Sequence, residues 1–263
     1  MTRARNALWV CALVTAIPLF AMPQYTVAAS AADRFETRTF QDGDYKLPYR
    51  LLKPKPFDTQ QKYPLVIFLH GAGERGDDNE KQLVHGMNDF ASDEIMARYP
   101  AFVIAPQCPI GEAWGGIRRL AKSPTPEGQL TPALSATLKA VETIRKEFPI
   151  DDKRIYITGL SMGGYGTWDA LAKQTELFAA AAPICGGGDP ASAVTMKKVP
   201  IWAFHGEDDQ TVPVERSREM IEALKTAGAS PKYTEYPGVG HNSWSQTYSN
   251  PELYAWLFAQ RKP

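Results

Sequence analysis

The chain has 263 residues, 44% of them hydrophobic, and its 29 basic and 29 acidic side chains give a formal net charge of zero. That is about the size of one α/β domain with a substantial core. No basic patch or run of like charges stands out, which argues against nucleic acid as a partner.

The N-terminus has the pattern of an export signal. Arg3 and Arg5 form a short basic region, and an apolar run follows from Ala7 to Met22. Ala29-Ser30-Ala31 then supplies the small residues of an A-x-A cleavage site. We therefore predict that residues 1–31 are a signal peptide and that the mature protein is secreted or periplasmic, with no membrane association after cleavage. An uncleaved membrane anchor is the alternative, but the run is short and contains Pro18.

Residues 32–263 are predicted to be one catalytic domain without repeats or low-complexity segments. Two of the three cysteines, Cys108 and Cys185, lie in this part, and each follows a predicted strand. An exported protein permits a disulfide, but sequence does not show that the two are close, and we expect two free buried thiols.

The predicted elements alternate between strands and helices. Asp42-Gly43 marks a hairpin between the first two strands, and the apolar run 65–69 is typical of a buried parallel strand. The predicted strands are 35–40, 45–52, 65–69, 102–105, 155–158, 178–184, 201–204 and 232–236. The predicted helices are 132–148, 165–173, 214–227 and 251–260. This order predicts an α/β fold with a mostly parallel central sheet and helices on both faces.

The most informative segment is Ile155-Tyr-Ile-Thr-Gly-Leu-Ser-Met-Gly-Gly164. A β-branched strand enters a Gly159-x-Ser161-x-Gly163 turn, and a helix-compatible segment follows. That context is typical of a nucleophile elbow, which holds a serine hydroxyl exposed beside a base and an oxyanion site. A glycine-rich turn without chemistry is the alternative.

Four histidines are candidates for the base. His70 and His205 each end a strand as His-Gly, where a histidine usually shapes the turn, and His85 lies in a polar stretch at the surface or rim. His241 lies in a glycine-rich loop between the last strand and the last helix, which can carry an imidazole over the edge of the sheet. A surface histidine is the alternative for His241.

The acid is expected after the strand that precedes this loop. Glu207, Asp208 and Asp209 lie there, and the alternative for them is a solvated acidic turn that caps the helix starting at Pro213. A nucleophile, an acid and a histidine in this order, each in a loop after a strand, match the arrangement of α/β-hydrolases.

The chain resembles α/β-hydrolases of the secreted esterase and predicted-peptidase type, including polyhydroxybutyrate depolymerase-like and feruloyl or acetylxylan esterase-like enzymes. The resemblance covers the mature chain and is carried by the segments 69–79, 106–109 with Trp114, 183–189 and 240–244.

The resemblance implies a catalytic triad of Ser161, Asp209 and His241, with Asp209 chosen by the Asp-x-x-Val-Pro pattern. It also implies that the backbone N–H groups of Ala72 and Met162 form the oxyanion hole.

No metal or cofactor is expected, because the chain has no C-x-x-C pair, no His-x-x-x-His and no phosphate loop.

The sequence marks the substrate contacts less clearly than the triad. The short 185–201 connection leaves no room for a cap domain, so the site is expected to be open. Trp114, Trp244 and Tyr165 are predicted to line it, and packing under a loop is the alternative for each tryptophan.

The sequence therefore predicts a secreted serine esterase that cleaves small-molecule or polymer-attached esters. Acyl groups on polysaccharide are one class of polymer-attached ester that it could cleave. A serine peptidase of the prolyl-oligopeptidase-like type and a non-catalytic binding protein on a hydrolase scaffold are the alternatives. The sequence predicts no oligomeric state.

Overall fold

The computed structural model describes residues 31–115 and 128–263. The predicted leader and nearly all of its cleavage site lie outside the described residues.

The described residues form an eight-stranded sheet in the order β1-β2-β4-β3-β5-β6-β7-β8. The strands are β1 Phe35–Asp42, β2 Tyr45–Leu52, β3 Tyr63–Leu69, β4 Phe102–Pro106, β5 Ile150–Leu160, β6 Ala180–Ile184, β7 Trp202–Gly206 and β8 Lys232–Tyr236. The β1–β2 and β2–β4 pairs are antiparallel, and all other pairs are parallel. The expected mostly parallel α/β-hydrolase sheet is confirmed.

Nine α-helices lie in the described ranges. They are α1 Ala31–Arg34, α2 Met87–Phe90, α3 Asp93–Arg98, α4 Pro132–Glu147, α5 Met162–Lys173, α6 Ala193–Met196, α7 Glu215–Thr226, α8 Trp244–Tyr248 and α9 Pro251–Ala259. Short 3-10 helices occur at Ala72–Glu74, Lys81–Leu83, Thr175–Leu177 and Pro190–Ser192.

The sheet separates two hydrophobic cores. Helices α4 to α7 cover one face, and α2, α3, α8 and α9 cover the other. Successive β3 side chains alternate between them: Ile67 packs in the first core and Phe68 in the second. Because both faces of β3 are covered, all seven of its residues are buried and the strand is apolar throughout. Burying each large apolar side chain contributes about 1.5–3 kcal/mol.

Local sequence explains where α4 begins. Thr131 is the N-cap, with its hydroxyl accepting from the N–H of Leu134, and Pro132 occupies the first turn. Leu134, Val141 and Ile144 face the core at helical spacing. The hairpin is also present, since Asp42 pairs with Tyr45 and Gly43 has a φ of 59°.

The connection from β6 to β7 contains only a 3-10 turn and the four-residue α6, so no cap domain is inserted there. Both Cys108 and Cys185 are buried and free. Among the helices of the described ranges, none has the length and apolarity needed to cross a bilayer.

Candidate active site

Three loops at the carboxyl ends of parallel strands bring the predicted triad together. Ser161 follows β5, Asp209 follows β7 and His241 follows β8. Strands β5 and β8 are separated in the sheet by β6 and β7, so the loops that carry Ser161 and His241 must extend towards each other over the carboxyl ends of these strands. Ligand sites in such sheets occur at this edge.

Ser161 lies in a strained turn. Its φ of 52° and ψ of −114° are not helical values, and helix α5 begins at the next residue. The turn is crowded: a Cβ on Gly163 would lie 1.9 Å from the carbonyl oxygen of Leu69, and one on Gly159 would lie 2.5 Å from that of Gly163. Only glycine fits at either position, and helix α5 therefore packs directly against the end of β3.

His241 bridges the serine and the carboxylate. Ser161 Oγ lies 2.9 Å from His241 Nε2, and His241 Nδ1 lies 2.7 Å from Asp209 Oδ2. The Nδ1–H therefore donates to the carboxylate, and Nε2 accepts from the serine hydroxyl. The Asp209 side chain is fully buried, whereas that of His241 is 22% exposed. This arrangement can take a proton from a serine as it attacks a carbonyl.

Asp209 is held from several sides. Its Oδ1 accepts from the N–H groups of Thr211, at 2.8 Å, and Val212, at 2.9 Å. The buried His205 Nε2 lies 3.2 Å from Oδ2 and 2.9 Å from the Val212 carbonyl oxygen. Burial lowers the pKa of His205, which favours its neutral form. Two backbone N–H groups and the His241 imidazole thus fix the orientation of the Asp209 carboxylate.

The other two acids of this turn lie at the surface. Asp208 and Glu207 are exposed, and Glu207 accepts from the N–H of Gly238 at 3.3 Å. This turn does not cap the next helix, because α7 begins at Glu215 and no side chain caps its first turn.

The predicted oxyanion donors lie at two turns that meet beside Ser161. Ala72 opens a 3-10 helix and Met162 opens α5, so each N–H belongs to a first turn, where helical acceptors are lacking. The two turns are close together at Gly71, where an added Cβ would lie 3.8 Å from Ser161 Cβ. Two such donors can stabilise a developing oxyanion.

His70 supports this turn from behind. Its Nδ1–H donates to the Gly71 carbonyl oxygen at 2.6 Å, and its Nε2 accepts from the N–H of Cys108 at 2.9 Å. Burial lowers the pKa of His70 to about 4. Since both ring nitrogens are engaged, His70 shapes the turn, as a histidine in a His-Gly strand end usually does.

The predicted substrate contacts separate into two groups. The expectation for Trp114 is wrong, because its side chain is fully buried. Its indole N–H donates to the His70 carbonyl oxygen at 3.0 Å, and its Cβ lies 2.3 Å from where a Gly166 Cβ would be. It therefore packs between β3 and α5, so the alternative of hydrophobic packing rather than substrate contact describes this residue.

Trp244 and Tyr165 lie near the triad. The Trp244 ring is partly exposed and meets the His241 ring edge-on, with centroids 5.2 Å apart. Tyr165 is partly exposed on the first turn of α5, and its Cε1 lies 3.3 Å from where a Cβ on Gly187 would be. Both positions allow contact with a substrate at Ser161.

Sequence reasoning missed Cys185. Its Sγ accepts from the N–H of Ser161 at 3.3 Å, and it adopts a positive φ of 40°. The Cys185 thiol, an Asp209 carboxylate oxygen and a His241 ring nitrogen lie within 4.8 Å of one another, the one such donor group in the described ranges. Asp209 and His241 are already bonded to each other, and burial raises the pKa of the thiol, so the group is poorly suited to a metal ion.

Comparison with known proteins places the chain in a family. Residues 57–250 match the model of the Phospholipase/Carboxylesterase family. A "probable carboxylesterase SOBER1-like" protein from Arabidopsis thaliana is 30% identical over 213 residues, which are 73% of this chain and 77% of that protein. A bifunctional acetylxylan esterase/xylanase from Neocallimastix patriciarum is 28% identical over 120 residues, 44% of this chain and 17% of that protein.

A solved structure of a thermostable esterase superposes with a TM-score of 0.81 at 44% identity and covers 88% of this chain. This chain spans 64% of that esterase's length. The chain therefore belongs to the Phospholipase/Carboxylesterase family, has the α/β-hydrolase fold and is a serine hydrolase of the carboxylic ester class.

Proposed function

We propose that the chain hydrolyses carboxylic esters with Ser161 as the nucleophile, His241 as the base and Asp209 as the residue that orients the base. The observation that carries this proposal is the pair of contacts made by His241, 2.9 Å to Ser161 Oγ and 2.7 Å to Asp209 Oδ2.

The geometry supports a two-step reaction. His241 Nε2 takes the hydroxyl proton while Ser161 Oγ bonds to the acyl carbon, and the N–H groups of Ala72 and Met162 donate to the oxyanion. The tetrahedral intermediate expels the alcohol, which receives the proton from His241. Water, deprotonated by His241, then attacks the acyl carbon, and the second tetrahedral intermediate releases the carboxylic acid as His241 returns the proton to Ser161 Oγ.

We further propose that the protein is exported and that its substrates are short acyl groups carried by bulky or polymeric alcohols, including polysaccharides. The basic and apolar N-terminal pattern supports export. The uncapped connection between β6 and β7 supports access for large alcohols. The name of the acetylxylan esterase relative supports acylated polysaccharide as one substrate class.

The triad is tested by measuring kcat/KM for p-nitrophenyl acetate. Ser161→Ala and His241→Ala should each lower it by several orders of magnitude with the fold retained by circular dichroism, because the residues act as one unit. Ser249→Ala is a matched control, since Ser249 is exposed and bonds only within its own helical turn. Wild-type turnover by either triad variant would overturn the assignment.

Substrate class is tested separately with acetylated xylan, feruloylated oligosaccharide and peptide amides. Release of acetate or ferulate without amide cleavage is expected. Faster hydrolysis of peptides than of every ester would refute the proposed substrates and favour the peptidase alternative.

A further inference from the structure

A carboxylate that the proposed chemistry does not use lies beside the nucleophile. Glu74 ends the 3-10 turn that Ala72 begins, and its carboxylate lies next to Gly71. Glu74 Oε2 lies 2.8 Å from the position that a Cβ on Gly71 would occupy, and Ser161 Cβ lies 3.8 Å from the same position. The carboxylate and the nucleophile thus flank one point.

Glu74 lacks a hydrogen-bond donor within the described residues. Its side chain is only 16% exposed, and the basic side chain paired with it is that of His85, whose Nε2 lies 3.7 Å from Oε1. That distance is too long for a hydrogen bond. A carboxylate has four acceptor positions, and because the Glu74 side chain is partly exposed, these positions are open to a donor that enters the site.

An aromatic surface continues from this carboxylate to the base. The His85 ring lies 5.3 Å from the Trp244 ring, which in turn lies 5.2 Å from the His241 ring. We call Glu74, His85 and Trp244 the acidic wall. It combines an acceptor with a partly exposed indole, whose apolar face can cover the C–H groups of a substrate.

We infer that Glu74 is a specificity-determining residue that accepts a hydrogen bond from a hydroxyl group adjacent to the reacting ester. The substrate class is then a partly acylated sugar or polyol, whose ring C–H groups pack on Trp244 while a free hydroxyl fills the acceptor. This inference rests on the proposed function, since it assumes that Ser161 attacks the ester. A site that hydrogen-bonds a substrate hydroxyl discriminates against the analogue that lacks it, because the acceptor is then left unpaired.

The test compares two acetate esters of a methyl pyranoside. One has a free hydroxyl next to the acetate, and the other has hydrogen in its place. The wild-type protein should prefer the hydroxylated ester in kcat/KM by about tenfold or more, as expected for a hydrogen bond to a charged acceptor. Glu74→Leu should abolish the preference, and Glu74→Gln, which keeps the size, should reduce it. Glu80→Gln is the matched control, because Glu80 is exposed and lies outside the acidic wall.

A third substrate, p-nitrophenyl acetate, has no such hydroxyl, and the Glu74 variants should hydrolyse it within about threefold of wild type. An unchanged preference in both Glu74 variants would overturn the inference, as would an equal loss on all three substrates. A larger preference for an acetate ester with a neighbouring ammonium group would replace the hydroxyl with a cation as the ligand and also overturn it. Failure of the wild-type protein to hydrolyse p-nitrophenyl acetate would instead refute the proposed function.

Discussion

At the scale of single residues, neighbouring carboxylates in the turn after β7 have different surroundings. Asp209 is buried and accepts from His241 and from two backbone N–H groups, whereas Asp208 is exposed. We expect Asp209→Asn to lower kcat for p-nitrophenyl acetate by about three to four orders of magnitude, because an amide does not hold the imidazole in the same tautomer. Asp208→Asn should stay within about twofold of wild type. Similar losses in the two variants would contradict this account of the turn.

The sequence predicted the three residues of the proposed triad but not what surrounds them. Ser161, the acidic turn and His241 were visible because each lies in a loop with its own signal, and the family pattern then selected Asp209. The contacts of His205 and Cys185 with the triad join residues far apart in the chain, and no local pattern predicts them. The sequence near Trp114 does not show whether the side chain is exposed, and its full burial and its hydrogen bond to the His70 carbonyl oxygen place it in the core.

At the scale of elements, the nucleophile elbow depends on close packing of α5 against β3. A Cβ on Gly163 would lie 1.9 Å from the Leu69 carbonyl oxygen, a distance that only movement of the backbone can relieve. Gly163→Ala should therefore destabilise the protein by about 3 kcal/mol or more, which lowers Tm by roughly 6 °C or more.

Gly73→Ala is the control for this substitution, because a Cβ on Gly73 meets nothing within 4 Å. Its Tm in differential scanning calorimetry should lie within about 2 °C of wild type. Equal Tm values for the two variants would show that the elbow is less tightly packed than described.

Long periodic segments were predicted well, and short ones were not. The predicted helix 132–148 matches α4 closely because a cap, a first-turn proline and a regular apolar stripe all mark it. Helices α2, α3, α6 and α8 have only four to six residues each, too few for a periodic pattern to emerge. Strand β5 begins at Ile150 rather than at residue 155, because the polar residues 151–154 concealed its first part.

At the scale of the whole molecule, stability should fall in mild acid because of His70. Its pKa is about 4 in the folded protein and about 6.5 when unfolded, so the unfolded state binds the proton more readily. The contribution is fully present above pH 6.5 and is lost as the pH falls towards 4, amounting to as much as about 3 kcal/mol. His205, whose pKa burial also lowers, acts in the same direction.

This is checked by urea unfolding at several pH values between 7.5 and 4.5. The free energy of unfolding of the wild-type protein should decrease as the pH falls. The decrease should be shallower in His70→Asn, because the asparagine at position 70 does not take up a proton in this range. This variant should also be less stable than the wild type at pH 7.5. Equal slopes in the two proteins would contradict the assignment to His70.

The absence of a cap between β6 and β7 should also limit the length of the acyl group that the protein hydrolyses efficiently. Burial contributes about 0.8 kcal/mol per CH₂ only when the chain leaves water, and an uncapped site does not enclose a long acyl chain. We expect kcat/KM for p-nitrophenyl esters to peak between acetate and butyrate and to fall for longer acyl groups. A maximum at dodecanoate or beyond would indicate an enclosed groove and contradict the expectation.

Covalent trapping tests whether His241 makes Ser161 the nucleophile. The wild-type protein is treated with a fluorophosphonate and examined by intact mass spectrometry and peptide mapping. We predict one adduct per chain, located on Ser161, with no adduct in Ser161→Ala and markedly slower labelling in His241→Ala. An adduct on another residue, or full ester hydrolysis by a protein that takes up no label at Ser161, would contradict the account.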